Sequence, residues 1–305
     1  MRLNGLHILL TYQCTFECDH CFVWGSPRQS GTLSRKQLRE ILRQAEAVRS
    51  IEWIYFEGGE PFLFYPVLLN AVREFSAAGF RIGIVTNGYW ATSLEVAMEL
   101  LRPFDGLLSN LSLSSDLYHY DEAISFKTKN AIQAAESLGL PVGKISIAQP
   151  EVPQQRCSVR RQKNAFKAVA TSESRVMYRG RAAEKLAIQT SWREWTEFSE
   201  CPHENLHKLD RIHLDPLGYL QVCQGISIGN LFRRPLKEIC DDYWPNDHPI
   251  VGPLLNGGPV KLVERYSLPH ADAYADACHL CYAMRLVLRE RFPETLVPDQ
   301  VYGAI

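Results

Sequence analysis

Leu6-His-Ile-Leu-Leu-Thr-Tyr-Gln13 runs directly into Cys14-Thr-Phe-Glu-Cys18-Asp-His-Cys21. The first eight residues read as an apolar strand, and the next eight as a loop at its carboxyl end that carries three thiols. From this junction to about residue 180, short apolar runs alternate with longer stretches of helical period, the pattern of βα units repeated around a parallel sheet. Strands are expected at residues 6–13, 52–56, 80–86, 107–114, 142–148 and 175–178. Helices are expected at 34–50, 66–78, 93–101 and 120–138. The first of these opens on an N-cap serine and carries Leu38, Ile41, Leu42, Ala45 and Val48 on one face. Gly79 and Gly139 stand where helices stop before the next strand. The expected fold class is α/β, a partial (β/α)6 TIM-like barrel. Its three-thiol loop lies at the carboxyl end of a strand, where such barrels gather their chemistry.

The 305 residues suit one large domain, or one with a smaller appendage. A balance of 33 basic against 34 acidic side chains gives a net charge of -1. No global field draws such a chain to nucleic acid or to anionic lipid, so neither is expected as a partner. The first ten residues fall short of a signal peptide's apolar region, and no run approaches the roughly 18 apolar residues of a membrane span. The expected location is cytoplasmic. Between residues 150 and 175 the rhythm breaks, and residues 156–185 hold nine Lys or Arg against two Glu. That segment reads either as a solvated surface or as a basic wall facing an anionic ligand.

Nine cysteines in a reducing compartment point to metal binding or thiol chemistry. Soft thiolates suit zinc or iron–sulfur. Cys14, Cys18 and Cys21 form a complete zinc set only with His20 or a distant fourth ligand. As three ligands alone they suit a cubane with one iron left open.

The loop resembles the CxxxCxxC signature of radical S-adenosylmethionine (radical SAM) enzymes. The resemblance implies that Cys14, Cys18 and Cys21 hold a [4Fe–4S] cluster whose open iron is chelated by the methionine moiety of S-adenosylmethionine (SAM). Glu57-Gly58-Gly59-Glu60-Pro61 is similar to the family's GGEP motif, which contacts the SAM amino group; glycines permit close backbone approach and a carboxylate suits an ammonium. Asn87, Ser114 and Asp116 fall at strand ends that line the SAM cleft in the family, although ordinary strand-end capping reads equally well there. His20 takes the place of an aromatic residue that packs on adenine. Gly180-Arg181-Ala182 resembles a GRA motif of peptide-modifying members, which would bring Arg181 to the SAM carboxylate.

The sequence after about residue 190 is turn-rich, and the expected division is a barrel at 1–190 with an irregular basic insertion at 150–175, followed by a small C-terminal auxiliary-cluster domain at 191–305. Cys201, Cys223, Cys278 and Cys281 can close a metal site from three separate places. With Gly218-Tyr-Leu-Gln-Val-Cys223, this set resembles the SPASM extension or its shorter Twitch form, which implies one auxiliary [4Fe–4S] cluster. A structural zinc ribbon is the alternative. His203, His207, His213 and His279 read as solvated or hydrogen-bonded side chains rather than ligands. Trp192, Trp195 and Phe198 are expected to dock this unit on the barrel. Cys157 and Cys240 belong to neither set and read as small apolar side chains; the sharper reading makes Cys157 a hydrogen-atom donor to a substrate radical.

The resemblance thus implies reductive cleavage of SAM and abstraction of a substrate hydrogen, with an electron donor such as flavodoxin or ferredoxin. The substrate is expected to be a ribosomally made peptide or protein that is crosslinked, oxidised or epimerised. A small molecule such as an aminocyclitol or sugar is the alternative, and a zinc-stabilised, non-enzymatic binding protein is the alternative from another class. A first strand beginning near residue 6 leaves no room for a fused peptide-recognition domain, so a separate recognition protein is expected if the substrate is a peptide.

Overall fold

The computed structural model describes residues 1–122, 124–150 and 171–304. Cys157 and most of the basic segment lie outside the described residues. Six strands, β1 (Gly5–Thr11), β2 (Trp53–Gly58), β3 (Arg81–Thr86), β4 (Leu108–Ser114), β5 (Val142–Ile147) and β6 (Thr171–Ser174), lie side by side in sequence order, each pair parallel. Helices α1 (Arg35–Ala47), α2 (Tyr65–Ala77), α3 (Leu94–Leu101) and α4 (Phe126–Ser137) fill the first four crossovers. The sheet is open, ending at β6 on one side.

Local chemistry accounts for these elements. Ser34 and Gln37 form a reciprocal capping box at the start of α1, whose Leu38, Ile41, Gln44 and Ala45 turn inward. Leu6, Ile8 and Leu10 of β1 are fully buried, as expected of a strand covered on both faces. The next helix but two starts later than its periodicity predicts. Residues from 120 belong instead to a turn in which the Asp116 carboxylate accepts the Tyr118 N–H, and α4 begins only after its own cap, Ser125. A carboxylate bonded to nearby backbone competes with helix formation. The sixth strand is also displaced: it is Thr171–Ser174, and residues 175–178 form no strand.

The chain after residue 180 forms α5 (Arg181–Lys185), then β7 (Arg193–Glu194), β8 (Arg211–Leu214), β9 (Tyr219–Cys223), β10 (Ile226–Asn230), α6 (Leu236–Asp241), α7 (Val251–Leu255), α8 (Gly258–Tyr266), β11 (Ala273–Tyr274) and α9 (Ala277–Leu288). β8 pairs parallel with β1 on the edge opposite β2, and β9 and β10 continue from it as a hairpin. The order is therefore β10-β9-β8-β1-β2-β3-β4-β5-β6, so β8, β9 and β10 extend the barrel sheet, whereas β7 and β11 pair antiparallel as a separate two-stranded sheet. Asp215, at the end of β8, secures this edge by accepting from Tyr12 Oη at 3.0 Å and from Gln221 Nε2 at 2.9 Å. Trp192 and Trp195 do not dock on the barrel: Trp192 stacks on Tyr274 and Trp195 packs on His270, while Phe198 is buried with Val263, Leu280 and Met284. These rings hold the C-terminal segment to itself. Among the described residues no helix is long and apolar enough to cross a membrane.

Candidate active site

The loop that follows β1 is pressed onto the loop that follows β2. Gly59 N–H donates to Thr11 O at 2.7 Å and Glu60 N–H to Gln13 O at 2.9 Å. A Cβ on Gly59 would stand 2.1 Å from Gln13 O, and Gly58 has φ +140° with Thr11 O 2.4 Å from where its Cβ would be. Both positions require glycine. The contact brings Cys14, Cys18 and Cys21 to a cleft of about 270 Å³ that Gly58, Gly59, Asn87, Ser114 and Asp116 also line.

Two of the three sulfurs, those of Cys14 and Cys21, are provided with donors. Gly25 N–H reaches Cys21 Sγ at 3.2 Å, Phe16 N–H reaches Cys14 Sγ at 3.5 Å, and Asn87 Nδ2 lies 3.6 Å from Cys14 Sγ. Such contacts suit thiolates and are the outer support that metal-bound sulfur uses. Yet burial pushes the Cys14 thiol up to about 12 and raises Cys18 and Cys21 also. Without a cation these groups stay protonated at neutral pH, so a metal centre must displace the protons for the set to work as ligands. The residues present fit such a centre.

Several expected SAM contacts take other positions. Glu60 has no exposed surface; its carboxylate accepts from Phe62 N–H at 3.0 Å, Thr86 Oγ1 at 2.8 Å and Asn87 N–H at 2.8 Å. It braces the wall from behind, and Pro61 is buried beside it. Arg181 does not line the cleft either: Nη1 donates to Cys18 O at 2.8 Å and Nη2 to Gly25 O at 3.0 Å, with the guanidinium over the Trp24 ring. Gly180 makes that clamp possible, since a Cβ there would meet Phe22 Cα at 2.7 Å. The Gly-Arg pair thus holds the cysteine loop closed through its carbonyls.

The remaining expected residues do border the cleft. His20 lies against Tyr118 and His119, with burial lowering its ring to about 4, so it is neutral near pH 7. Asp116 is buried, which opposes its charge, but His119 at 2.7 Å and the Ile147 N–H at 3.1 Å hold the carboxyl below its usual range. Glu57 faces the same cleft while holding two histidines, His7 and His213.

A second thiol set meets at a small buried hollow about the start of α9. Cys201, Cys223, Cys278 and Cys281 line it together with Arg179 and Arg285. Arg179 Nη1 donates to Cys223 Sγ at 2.9 Å, and its buried Nε has no hydrogen-bond partner. Arg285 is almost fully buried and bonds the Gln224 carbonyl. Two buried guanidiniums require negative charge nearby. Four thiolates around a metal or cluster supply it, so this donor set fits a four-thiolate centre. Cys240 lines neither site: it is a buried residue of α6 whose carbonyl accepts from the Met1 amine, with its side chain in the role of a small apolar group.

A third feature was not anticipated. A cavity of about 500 Å³ adjoins the first cleft, sharing Leu9, Phe22, Val23 and Met177 with it, and is walled by Arg179, Glu204, Arg211, His213, Gln221 and Gln224. Its far wall comes from β8 and β9, whose place beside β1 no local pattern discloses. The one available signal was His7, a polar residue two positions before Leu9 in an otherwise apolar strand.

Residues 8–148 match the Radical SAM superfamily, a stretch that contains the end of β1, the three-cysteine loop and the strands β2 to β5. Residues 8–148 thus carry a radical SAM domain. That superfamily implies SAM and a [4Fe–4S] cluster as cofactors. It is 28% identical over 134 residues to YydG of Bacillus subtilis (strain 168), whose name assigns it to peptide biosynthesis; the match covers 44% of this chain and 42% of that one. It is 34% identical over 99 residues to a tungsten-containing aldehyde ferredoxin oxidoreductase cofactor-modifying protein of Pyrococcus furiosus, covering 32% and 27% of the two chains. The match thus spans less than half the length of these curated relatives. Among solved structures, BtrN in complex with AdoMet and 2-DOIA superposes with a TM-score of 0.49 at 13% identity, over 78% of this chain and 81% of that one.

Proposed function

We propose that Cys14, Cys18 and Cys21 hold the [4Fe–4S] cluster, that SAM occupies the cleft they line, and that the enzyme modifies a peptide or protein substrate. The observation that carries the first two points is the meeting of three thiols, two of them supplied with hydrogen-bond donors, with the Gly58-Gly59 backbone around one cleft at the carboxyl end of β1. Bound there, the two groups supply one-electron cleavage of SAM and abstraction of a substrate hydrogen. This chain's residues do the positioning. Arg181 fixes the loop through Cys18 O and Gly25 O, and Glu60 fixes the strand end that presents Asn87. Leu9, Val85, Ile145 and Ile147 make the cleft floor apolar, which excludes water from reactive species.

The peptide reading is supported by the relative named for peptide biosynthesis, which is similar over 44% of the chain. The four-thiol hollow supports an auxiliary [4Fe–4S] cluster: with all four positions filled by thiolate, it serves electron transfer or structure, not substrate binding. The test is iron and sulfide content with SAM cleavage on anaerobically reconstituted protein. Wild type is expected to hold about eight iron per chain, four for each cluster. Cys18→Ala should lose about half the iron and all SAM cleavage, and cleavage at the wild-type rate would overturn the first site. Cys278→Ala should lose the other half while still cleaving SAM, and unchanged iron would overturn the auxiliary site. Zinc without iron would favour two structural sites.

A further inference from the structure

His7, Glu57 and His213 meet where β1, β2 and β8 lie side by side. His7 stands opposite Tyr55 on one neighbour and opposite His213 on the other. His7 Nδ1 lies 3.2 Å from Glu57 Oε2, and His213 Nδ1 lies 2.8 Å from Glu57 Oε1. Each carboxylate oxygen therefore faces one ring nitrogen, the arrangement in which two imidazoles each donate an Nδ1–H to one acceptor-only group. Burial works against the charge on Glu57, yet the attraction of His7 and the two hydrogen bonds hold its carboxyl far below the usual range. The rings lie 4.9 Å apart, and His7 is stacked on Tyr55.

The position of this trio is what gives it a use. Glu57 lines the cleft that holds the three thiols, whereas His213 lines the adjoining cavity of about 500 Å³. Leu9, Phe22, Val23 and Met177 border both, so the carboxylate stands at the junction of the two spaces. With Nδ1 of His213 committed to Glu57, Nε2 is the nitrogen left to the cavity. The titratable and charged groups around it are His7 from β1, Glu57 from β2, Arg211 from β8, and Arg175, Arg179, His203 and Glu204 from the cavity wall. Tyr55 of β2 flanks His7, and β9 contributes the uncharged Gln221. Glu204 lies 3.5 Å from Arg211 and 3.8 Å from Arg179, so these charges face one another and leave Glu57 to the histidines.

We propose that His213 accepts a proton from a ligand bound in this second cavity, with Glu57 setting its tautomer and His7 completing the carboxylate's partners. The proton moves from an O–H, N–H or S–H of the ligand to Nε2; the ligand keeps the bonding pair, and the resulting imidazolium rests against the Glu57 carboxylate. No electron is transferred in this step. The ligand is therefore a protic group placed next to the SAM cleft. The inference rests on the reading of that cleft as the SAM site.

The test is carbethoxylation of the reconstituted full chain by diethyl pyrocarbonate, a reagent that reacts with an unprotonated, accessible imidazole nitrogen, followed by peptide mapping. The exposed His207 serves as internal reference, and SAM cleavage by the same preparation is measured in parallel. His213, although largely enclosed, is expected to react at least as fast as His207. Glu57→Gln should slow it about tenfold while leaving His207 unchanged, because the carboxylate that accepts from Nδ1–H, and so keeps Nε2 unprotonated and turned to the cavity, is gone. A wild-type His213 that resists the reagent overturns the proposal, as does a rate indifferent to Glu57→Gln. If either happens in protein that cleaves SAM, the SAM-site reading stands and only the proton acceptor falls. Reactive His213 in fully clustered protein that does not cleave SAM overturns the SAM-site reading instead. Should Glu57→Gln fail to fold, the wild-type comparison of His213 with His207 still decides.

Discussion

Glu60 sits at the centre of a chain of hydrogen bonds with a fixed direction. Thr86 Oγ1 accepts from Gly88 N–H at 3.1 Å and Trp90 Nε1 at 3.0 Å, so its own hydroxyl hydrogen goes to Glu60. The Phe62 and Asn87 amides converge on the same carboxyl, while burial pushes it up to about 7 against their pull. Glu60→Gln keeps an acceptor for Phe62 and Thr86 but turns an NH2 toward the Asn87 N–H. The unmade bond should cost about 1–3 kcal/mol. Thermal unfolding checks this, and an unchanged midpoint would show the network to be dispensable. At this scale the sequence discloses which residues matter more readily than what they do. Glu60 and Arg181 stand out by motif, but both act on the protein's own backbone, a role that depends on which carbonyls and amides the fold brings near.

At the scale of elements, the βα rhythm of the first five strands is legible because each apolar run and each amphipathic face is local. The displaced β6 and the late start of α4 depend on contacts that periodicity does not carry, such as the Asp116 carboxylate on the Tyr118 amide. The parallel pairing of four-residue β8 with β1 is still less visible, since its partner lies some two hundred positions away. Asp215 secures that pairing and gives a pH test. Its carboxyl has no exposed surface, and burial raises it from 3.8 to about 6 in spite of four donors. The folded state therefore holds the proton more tightly than the unfolded chain. That contribution is complete below about pH 4 and is lost as pH rises through about 6. The difference in stability between wild type and Asp215→Asn should accordingly change by about 1–3 kcal/mol between pH 4 and 7, in the direction that weakens wild type as pH rises. Denaturant unfolding at several pH values measures it, and a pH-independent difference would exclude the titration.

For the whole molecule, the consequence of one continuous sheet is that the C-terminal segment is structural for the barrel. β1 is an interior strand of the nine, flanked by β2 on one edge and by β8 on the other. Tyr12, buried at the end of that strand, has its hydroxyl on Asp215. The loop bearing Cys14, Cys18 and Cys21 begins two residues beyond Tyr12, so the geometry of the candidate cluster site depends on strands contributed after residue 190. A fragment ending at residue 190 would expose a parallel, apolar strand edge, a template for aggregation. It would also leave Leu6 and Ile8 without part of the core that covers them. The full chain is expected to unfold in a single transition, with the fragment insoluble or unable to retain iron at the first site. Calorimetry of the full chain and iron content of the fragment, refolded and reconstituted in parallel with it, provide the measurement. A soluble fragment with a full first cluster would mean that β8 merely rests on a barrel already complete, and that the division near residue 190 is a true domain boundary.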